Sequence, residues 1–146
     1  MRQWRYIFLL LAFCLCGFRV MAGSRNVGDI PNLTIHSFAQ DAKGYVWIAT
    51  ENGLCRYNGH DYLHYYHDAD EPGSLPSNVV LSLVTDGSGV LWAATDNGVC
   101  WYDELKDSFV MLEDCPVLGG LVFNEGLVVG YGKGLGIVLL DPESKR

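Results

Sequence analysis

The sequence predicts an all-β fold, a partial β-propeller of about three four-stranded antiparallel blades with the last incomplete, and three observations carry that prediction. The stretch DAKGYVWIATENGLCRYN at 41–58 returns without a gap, 45 residues later, as DGSGVLWAATDNGVCWYD at 86–103. A fixed period of this length marks propeller blades or a solenoid. Around each copy lie four short runs rich in β-branched and aromatic residues, separated by Gly-containing turns, and four such strands make one blade. A third, eroded copy follows at 126–141, in which Gly136 and Asp141 keep the spacing of Gly53 to Asn58 and of Gly98 to Asp103.

The blades are preceded by residues that read as an N-terminal signal helix, 1–22. Arg2 and Arg5 form a basic start, residues 6–18 are an apolar run of thirteen, and Val20 and Ala22 flank Met21 as a cleavage site. Thirteen residues span about 20 Å as a helix, short of the roughly 30 Å hydrocarbon core, so the run reads as an export signal and not as a membrane span. Cys14 and Cys16 follow the large residues Phe13 and Leu15, which disfavours lipidation. Removing 1–22 takes three of the ten basic residues and none of the seventeen acidic ones, leaving a formal charge of −10. That excludes partners that need a basic surface, namely nucleic acid and anionic membrane. Membrane contact is expected only through the signal or a further C-terminal region.

The first blade with its linker is expected over 33–78. Residues 33–40 read as a strand, and Asp41 and Gly44 occupy the first and fourth places of a type I turn. Residues 45–50 form the second strand, Asn52-Gly53 a hairpin turn, 54–57 the third strand and 61–67 a tyrosine-rich fourth. The polar stretch at 68–78, with its Pro and Gly residues, reads as a flexible acidic linker. The second blade, 79–115, repeats the plan with strands at 79–85, 90–95, 99–102 and 108–113. The second strand of each blade is apolar on both faces, as expected of a sheet packed between two others, and Ala49, Ala93 and Ala94 beside Trp47 and Trp92 suit large-against-small packing. The degenerate third blade, 116–141, has candidate strands at 117–123, 127–131 and 136–141. Closed propellers have four to eight blades. The chain therefore reads as a piece of a longer protein or a truncated gene product, with open faces and an edge that need covering.

The repeated element Asp-x-x-Gly-x-x-Trp-x-Ala-Thr-x-Asn-Gly-x-x-x-Tyr resembles the two-component regulator propeller repeat. It comprises Asp41, Gly44, Trp47, Thr50, Asn52, Gly53 and Tyr57, then Asp86, Gly89, Trp92, Thr95, Asn97, Gly98 and Tyr102. The family has Gly where this chain has Ala49 and Ala94. The segment YLHYYHDADEPGSLPSN at 62–78 is similar to the inter-blade segment near the N-terminus of the hybrid two-component sensors of Bacteroidetes. The resemblance implies an exported, periplasmic sensor region, joined in full-length members by a transmembrane helix to a histidine kinase, often with receiver and DNA-binding domains. Many members sense glycan breakdown products, so it also implies an oligosaccharide ligand and further blades of the same or another chain as partners. No residue here corresponds to the kinase parts.

Other constellations have a functional and a plain reading. The glycine-rich run at 130–136 looks like a kinase ATP-lid box, but only β-repeats precede it and Gly136 falls on the repeat's own glycine. His60, His64 and His67 suggest a metal site, yet strand residues four apart are about 13 Å apart and those three apart face opposite ways, so solvated side chains are expected. Asp41 with Asp86, or Asp68, Asp70 and Glu71, could pair as catalytic carboxylates. The first two are better read as turn formers, and the others as linker residues with nothing to raise a pKa. Trp47, Trp92, Tyr57 and Tyr102 could stack on sugars or fill the blade core. Asn32 begins a glycosylation sequon. Cys55 and Cys100 sit at equivalent points of stacked sheets, too far apart to bridge, and are expected as buried small side chains. No catalytic, cofactor-binding or metal site is assigned. The function expected is a non-catalytic, ligand-sensing fragment acting in signal transduction. The alternatives are a stand-alone scaffold assembling blades between chains and a propeller glycan lyase or hydrolase.

Overall fold

The computed structural model describes residues 34–113, 115, 119–132 and 136–143. The expected signal segment 1–22, the sequon at Asn32 and the start of the third blade at 116–118 lie outside the described residues. Among these residues, eleven strands form three antiparallel sheets. Sheet A contains β1 (Ile35–Gln40), β2 (Val46–Thr50), β3 (Gly53–Tyr57) and β4 (Tyr62–Tyr65) in chain order. Sheet B repeats it with β5 (Val80–Thr85), β6 (Leu91–Thr95), β7 (Gly98–Asp103) and β8 (Ser108–Met111). Sheet C has three strands, β9 (Gly120–Asn124), β10 (Leu127–Gly132) and β11 (Gly136–Leu140).

The sheets stack as blades, with β1 beside β5 and β5 beside β9 on the inner side. Register is repeated between sheets A and B. Phe38, Ile48, Cys55 and His64 lie in one cross-strand row, as do Leu83, Ala93, Cys100 and Met111. Irregularities recur between Ile35 and Ser37 and between Val80 and Ser82. The two serines then do the same work. The Ser37 hydroxyl accepts from the Leu83 amide at 3.1 Å, and the Ser82 hydroxyl accepts from the Leu121 amide at 3.0 Å. Each joins the inner strand of one blade to that of the next.

Two apolar cores fill the gaps between sheets. Trp47, Ala49 and Leu54 of sheet A meet Leu83, Leu91, Ala93, Cys100 and Phe109 of sheet B. Trp92, Ala94 and Val99 of sheet B meet Leu121, Val128 and Leu140 of sheet C. All five residues of β6 are buried, because it has a sheet on either side, whereas burial alternates along β10. Cys55 and Cys100 are buried and Cys115 is half-buried.

The linker departs from expectation. It is held down, not flexible. The Asn78 side chain accepts from the His67 amide at 2.7 Å, Ser74 Oγ accepts from the Asp68 amide at 3.0 Å, and the Gly73 carbonyl accepts from the Phe109 amide at 2.8 Å. Leu75 is 1% exposed within the A–B core. These bonds divert the chain after Tyr65, which is why β4 is shorter than the run of aromatic residues in the sequence.

Candidate functional site

The conserved spacing within each repeat is explained by a carboxylate that binds its own turn and the tryptophan beyond it. Asp41 Oδ1 accepts from the amides of Lys43 and Tyr45, both at 3.0 Å, and Oδ2 accepts from Trp47 Nε1 at 2.8 Å. Asp86 does likewise with Ser88 at 2.9 Å, Val90 at 3.0 Å and Trp92 Nε1 at 2.9 Å. Gly44 and Gly89 close these turns on the carbonyls of Asp41 and Asp86. At Gly89, φ is 80° and an added Cβ would lie 2.4 Å from the Ala42 side chain, because the turns of neighbouring blades touch there. Each carboxylate is held by three internal donors, two turn amides and one indole. The two aspartates are thus more than turn formers: they fix the indoles of the core.

Thr50 and Thr95 act at the opposite turn of each blade. Thr50 Oγ1 donates to the Gly53 carbonyl at 2.8 Å and accepts from the Asn52 amide at 3.0 Å. Thr95 donates to the Gly98 carbonyl at 2.9 Å and accepts from the Asn97 amide at 3.2 Å. Asn97 Nδ2 also donates to the Pro76 carbonyl at 3.0 Å, tying this turn to the linker. The fourteen repeat residues therefore occupy equivalent sequence places in two sheets, and of them Asp41, Gly89 and Tyr102 line one cleft between those sheets.

The repeat's tyrosines diverge. Tyr57 stacks on Tyr62 with ring centroids 4.6 Å apart and donates to the Gly59 carbonyl at 2.7 Å. Tyr102 enters a polar cluster between sheets A and B. Arg56 Nη1 donates to its hydroxyl at 2.7 Å, and the hydroxyls of Tyr102 and Tyr65 both donate to Asp107 Oδ1, the second at 2.7 Å. The Arg56 guanidinium carbon lies 5.1 Å from the Tyr45 ring centroid, 5.3 Å from that of Trp47, 5.6 Å from that of Tyr65 and 5.8 Å from that of Tyr102, within cation–π range of all four. Burial, then hydrogen bonding, pushes both tyrosine hydroxyls above their ordinary range. The Tyr102 hydrogen bond, reinforced by Tyr65 and Arg56, holds the Asp107 carboxyl below its own. Trp47, Trp92 and Tyr102 are buried, so these rings belong to the core and are not open to a sugar.

His60 and His67 are exposed, the latter with Nδ1 2.7 Å from the Leu75 carbonyl, whereas His64 departs from expectation in being half-buried, its Nδ1 buried with no hydrogen-bond partner. Among the described residues no group of His, Cys, Asp and Glu is placed to hold a metal ion. Gly130 and Gly132 lie within β10 and Gly136 opens β11, so the glycine-rich run is strand as far as it is described.

Among the described residues, open clefts lie at the A–B seam. One, of about 220 Å³, lies between the turns at 41–43, 88–90 and 103–105, and the Lys43–Glu104 ion pair at 2.5 Å spans that seam. The other, of about 380 Å³, lies between the linker and β8, lined by His64, Tyr66, Asp68, Glu71, Lys106 and Asp107. Both mix acidic and basic groups with aromatic rings.

No curated protein matches the chain. Solved structures do, with low identity and the same fold. The extracellular domain of BT3049 from B. thetaiotaomicron, described as a hybrid two component system, aligns with a TM-score of 0.66 and 24% identity over 80% of this chain. The corresponding domain of BT4673 from the same organism aligns with a TM-score of 0.61 and 23% identity over 77%. This chain spans 18% and 17% of the length of those two. Residues 29–52 and 74–97 match the family model described as two component regulator propeller. Those segments hold Asp41 with Trp47 and Thr50 in sheet A and Asp86 with Trp92 and Thr95 in sheet B, so the likeness to the two component regulator propeller family lies in the two best-formed repeats.

Proposed function

We propose that this chain is an exported, non-catalytic propeller region of a hybrid two-component sensor, and that it recognises an oligosaccharide and passes the signal on by contact between blades. The observation that carries this reading is the pair of family repeats in register, within a fold shared with extracellular domains of such systems. Two features of the seam support binding over catalysis. The repeat carboxylates Asp41 and Asp86 are occupied by internal donors. The open clefts carry mixed polar and aromatic groups of the kind that hold a sugar.

Titration calorimetry of the purified chain against a panel of oligosaccharides, with chromatography of the mixtures afterwards, tests the proposal. Saturable heat with unchanged sugar supports recognition. New reducing ends or unsaturated products would replace it with an enzyme, and the absence of binding to every glycan in the panel would remove the carbohydrate ligand. Export is tested separately by fusing alkaline phosphatase after residue 143, with and without residues 1–22. Phosphatase activity outside the cytoplasm is expected only when 1–22 are present.

A further inference from the structure

The turn between β7 and β8, residues 104–107, is as long as the turn between β3 and β4, residues 58–61, but it is held differently. In sheet A the turn closes on itself. Asn58 Oδ1 accepts from the His60 and Asp61 amides, both at 2.8 Å, and the Tyr57 hydroxyl donates to the Gly59 carbonyl at 2.7 Å. In sheet B both ends of the turn reach across the seam to sheet A. Glu104 pairs with Lys43 of the β1–β2 turn at 2.5 Å. Asp107 Oδ1 accepts from the Tyr65 hydroxyl of β4 at 2.7 Å and lies 3.8 Å from Arg56 Nη1 of β3. Within its own sheet the turn is held by the Tyr102 hydroxyl on Asp107 and by Asp103, which takes the Leu105 amide at 3.1 Å and the Lys106 ammonium at 3.2 Å.

These fastenings are polar and close to water. The side chains of Lys43, Glu104 and Asp107 are all more than half exposed, and exposed ion pairs hold weakly and are screened by salt. Leu105, the one apolar residue of the turn, is 97% exposed and supplies no apolar anchor. Asp107 has a φ of 50°, in the left-handed region that disfavours residues other than glycine. A segment held in this way opens without exposing much apolar surface. Its position gives the opening a consequence. Glu104 and Leu105 line the cleft of about 220 Å³, and Lys106 and Asp107 line that of about 380 Å³. Tyr102 lines the first and Tyr65 the second, with their hydroxyls 3.4 Å apart and both on Asp107. The turn and these two rings are the wall between the clefts. Small-molecule sites occupy about 300–1,000 Å³, so the first cleft is below that range, the second near its lower end, and the two joined well inside it.

We infer that residues 104–107 are a strap across the A–B seam, which keeps the two clefts apart when closed and, when lifted, joins them into one groove for several units of an oligosaccharide. The ligand rests on the oligosaccharide reading above, whereas the movement of the strap does not. Lifting breaks the Glu104–Lys43 and Asp107–Tyr65 contacts and needs no change in the strands. It releases the Tyr65 hydroxyl and one side of the Arg56 guanidinium as donors for sugar hydroxyls. Arg56 stays in place, because the Tyr102 hydroxyl and the rings of Tyr45, Trp47 and Tyr65 still surround it.

Trypsin reports the strap, since Lys106 lies in it and is exposed. Lys43→Gln and Tyr65→Phe remove partners on sheet A and leave the strap's own sequence intact. With the circular dichroism of the parent retained, cleavage after Lys106 should be about twofold faster in the first and about tenfold faster in the second. In the parent it should quicken severalfold as salt is raised to about 1 M, where the screening length falls to about 3 Å. Rates are taken relative to a free peptide of residues 103–110, which corrects for salt effects on trypsin. A parent rate indifferent to salt, or folded variants cleaved no faster than the parent, overturns the strap. The groove is read by calorimetry on Glu104→Gln/Asp107→Gly, which keeps Tyr65 and Arg56 and places glycine where φ is positive. This variant should bind xylohexaose or cellohexaose about tenfold more tightly than the parent does, as two released donors would give, with no gain for xylobiose or cellobiose. Faster cleavage without that gain for the longer sugars overturns the joined groove. No binding of any of the four sugars to parent or variant overturns the oligosaccharide reading and the groove's ligand with it, while the cleavage rates still decide the strap.

Discussion

At the residue scale, the bond from an aspartate to a tryptophan six positions on connects the turn chemistry of each repeat to its core. The carboxylate satisfies two turn amides and one indole in a site where water is scarce, and Asp86 is buried. Hydrogen bonds to a charged group contribute about 1.5–3 kcal/mol each. A double-mutant cycle with Asp86→Ala and Trp92→Phe, read by urea unfolding, should therefore give a coupling energy of about 1.5–3 kcal/mol. Additive effects of the two changes would show that the pair does not act as a unit. The identities of Asp86 and Trp92 were legible from their recurrence, but the reason for the spacing was not, because it depends on how the turn folds back over the following strand. Arg56, Tyr65 and Asp107 were not legible at all. The second repeat has Trp101 where the first has Arg56, so no periodicity marks the cluster, and its partners are joined only by the packing of two blades.

The same cluster gives the molecule a pH dependence with a definite sign. Folding holds the Asp107 carboxyl below its ordinary value, chiefly through the Tyr102 hydroxyl. Its contribution is complete above the unfolded value of about 3.9 and is lost as pH falls through the lower folded value. Folding raises the Tyr65 and Tyr102 hydroxyls, chiefly by burial. Their contribution is complete below the unfolded value of about 10 and is lost as pH climbs through the raised ones. Thermal unfolding followed against pH should show stability falling on both sides. Asp107→Asn should flatten the acid side and Tyr65→Phe the alkaline side. Unchanged profiles would mean that other groups set both limits.

At the element scale, the strands were legible and the linker was not. Alternation and Asn-Gly turns are local signals, so β2, β3, β6 and β7 fall within a residue of their expected bounds. The linker's order comes from partners 11 and more residues away, such as Asn78 for His67 and Phe109 for Gly73, and composition alone reads such a stretch as loose. Leu75 is the apolar anchor of that segment. Leu75→Ala should cost about 2–5 kcal/mol, as for other buried leucines, measured by urea unfolding. Leu105 is 97% exposed, and Leu105→Ala should change stability by no more than about 0.5 kcal/mol. Equal effects at the two positions would show that the linker is not part of the core.

At the scale of the whole molecule, the three sheets are unequal because, among the described residues, sheet B alone has a sheet packed on each side. Its β6 is buried throughout, while β10 of sheet C shows water a leucine and a tyrosine on one face. Local opening needs less apolar surface to be exposed where less is buried, so sheet C should open more readily than sheet B. Amide exchange in dilute solution should accordingly show weaker protection in β9, β10 and β11 than in β6 and β7. Sheet C protected equally with sheet B would contradict that ordering. The exposed row of Val122, Val129 and Leu139 thus makes sheet C the part of the fold whose stability depends on what lies beside it.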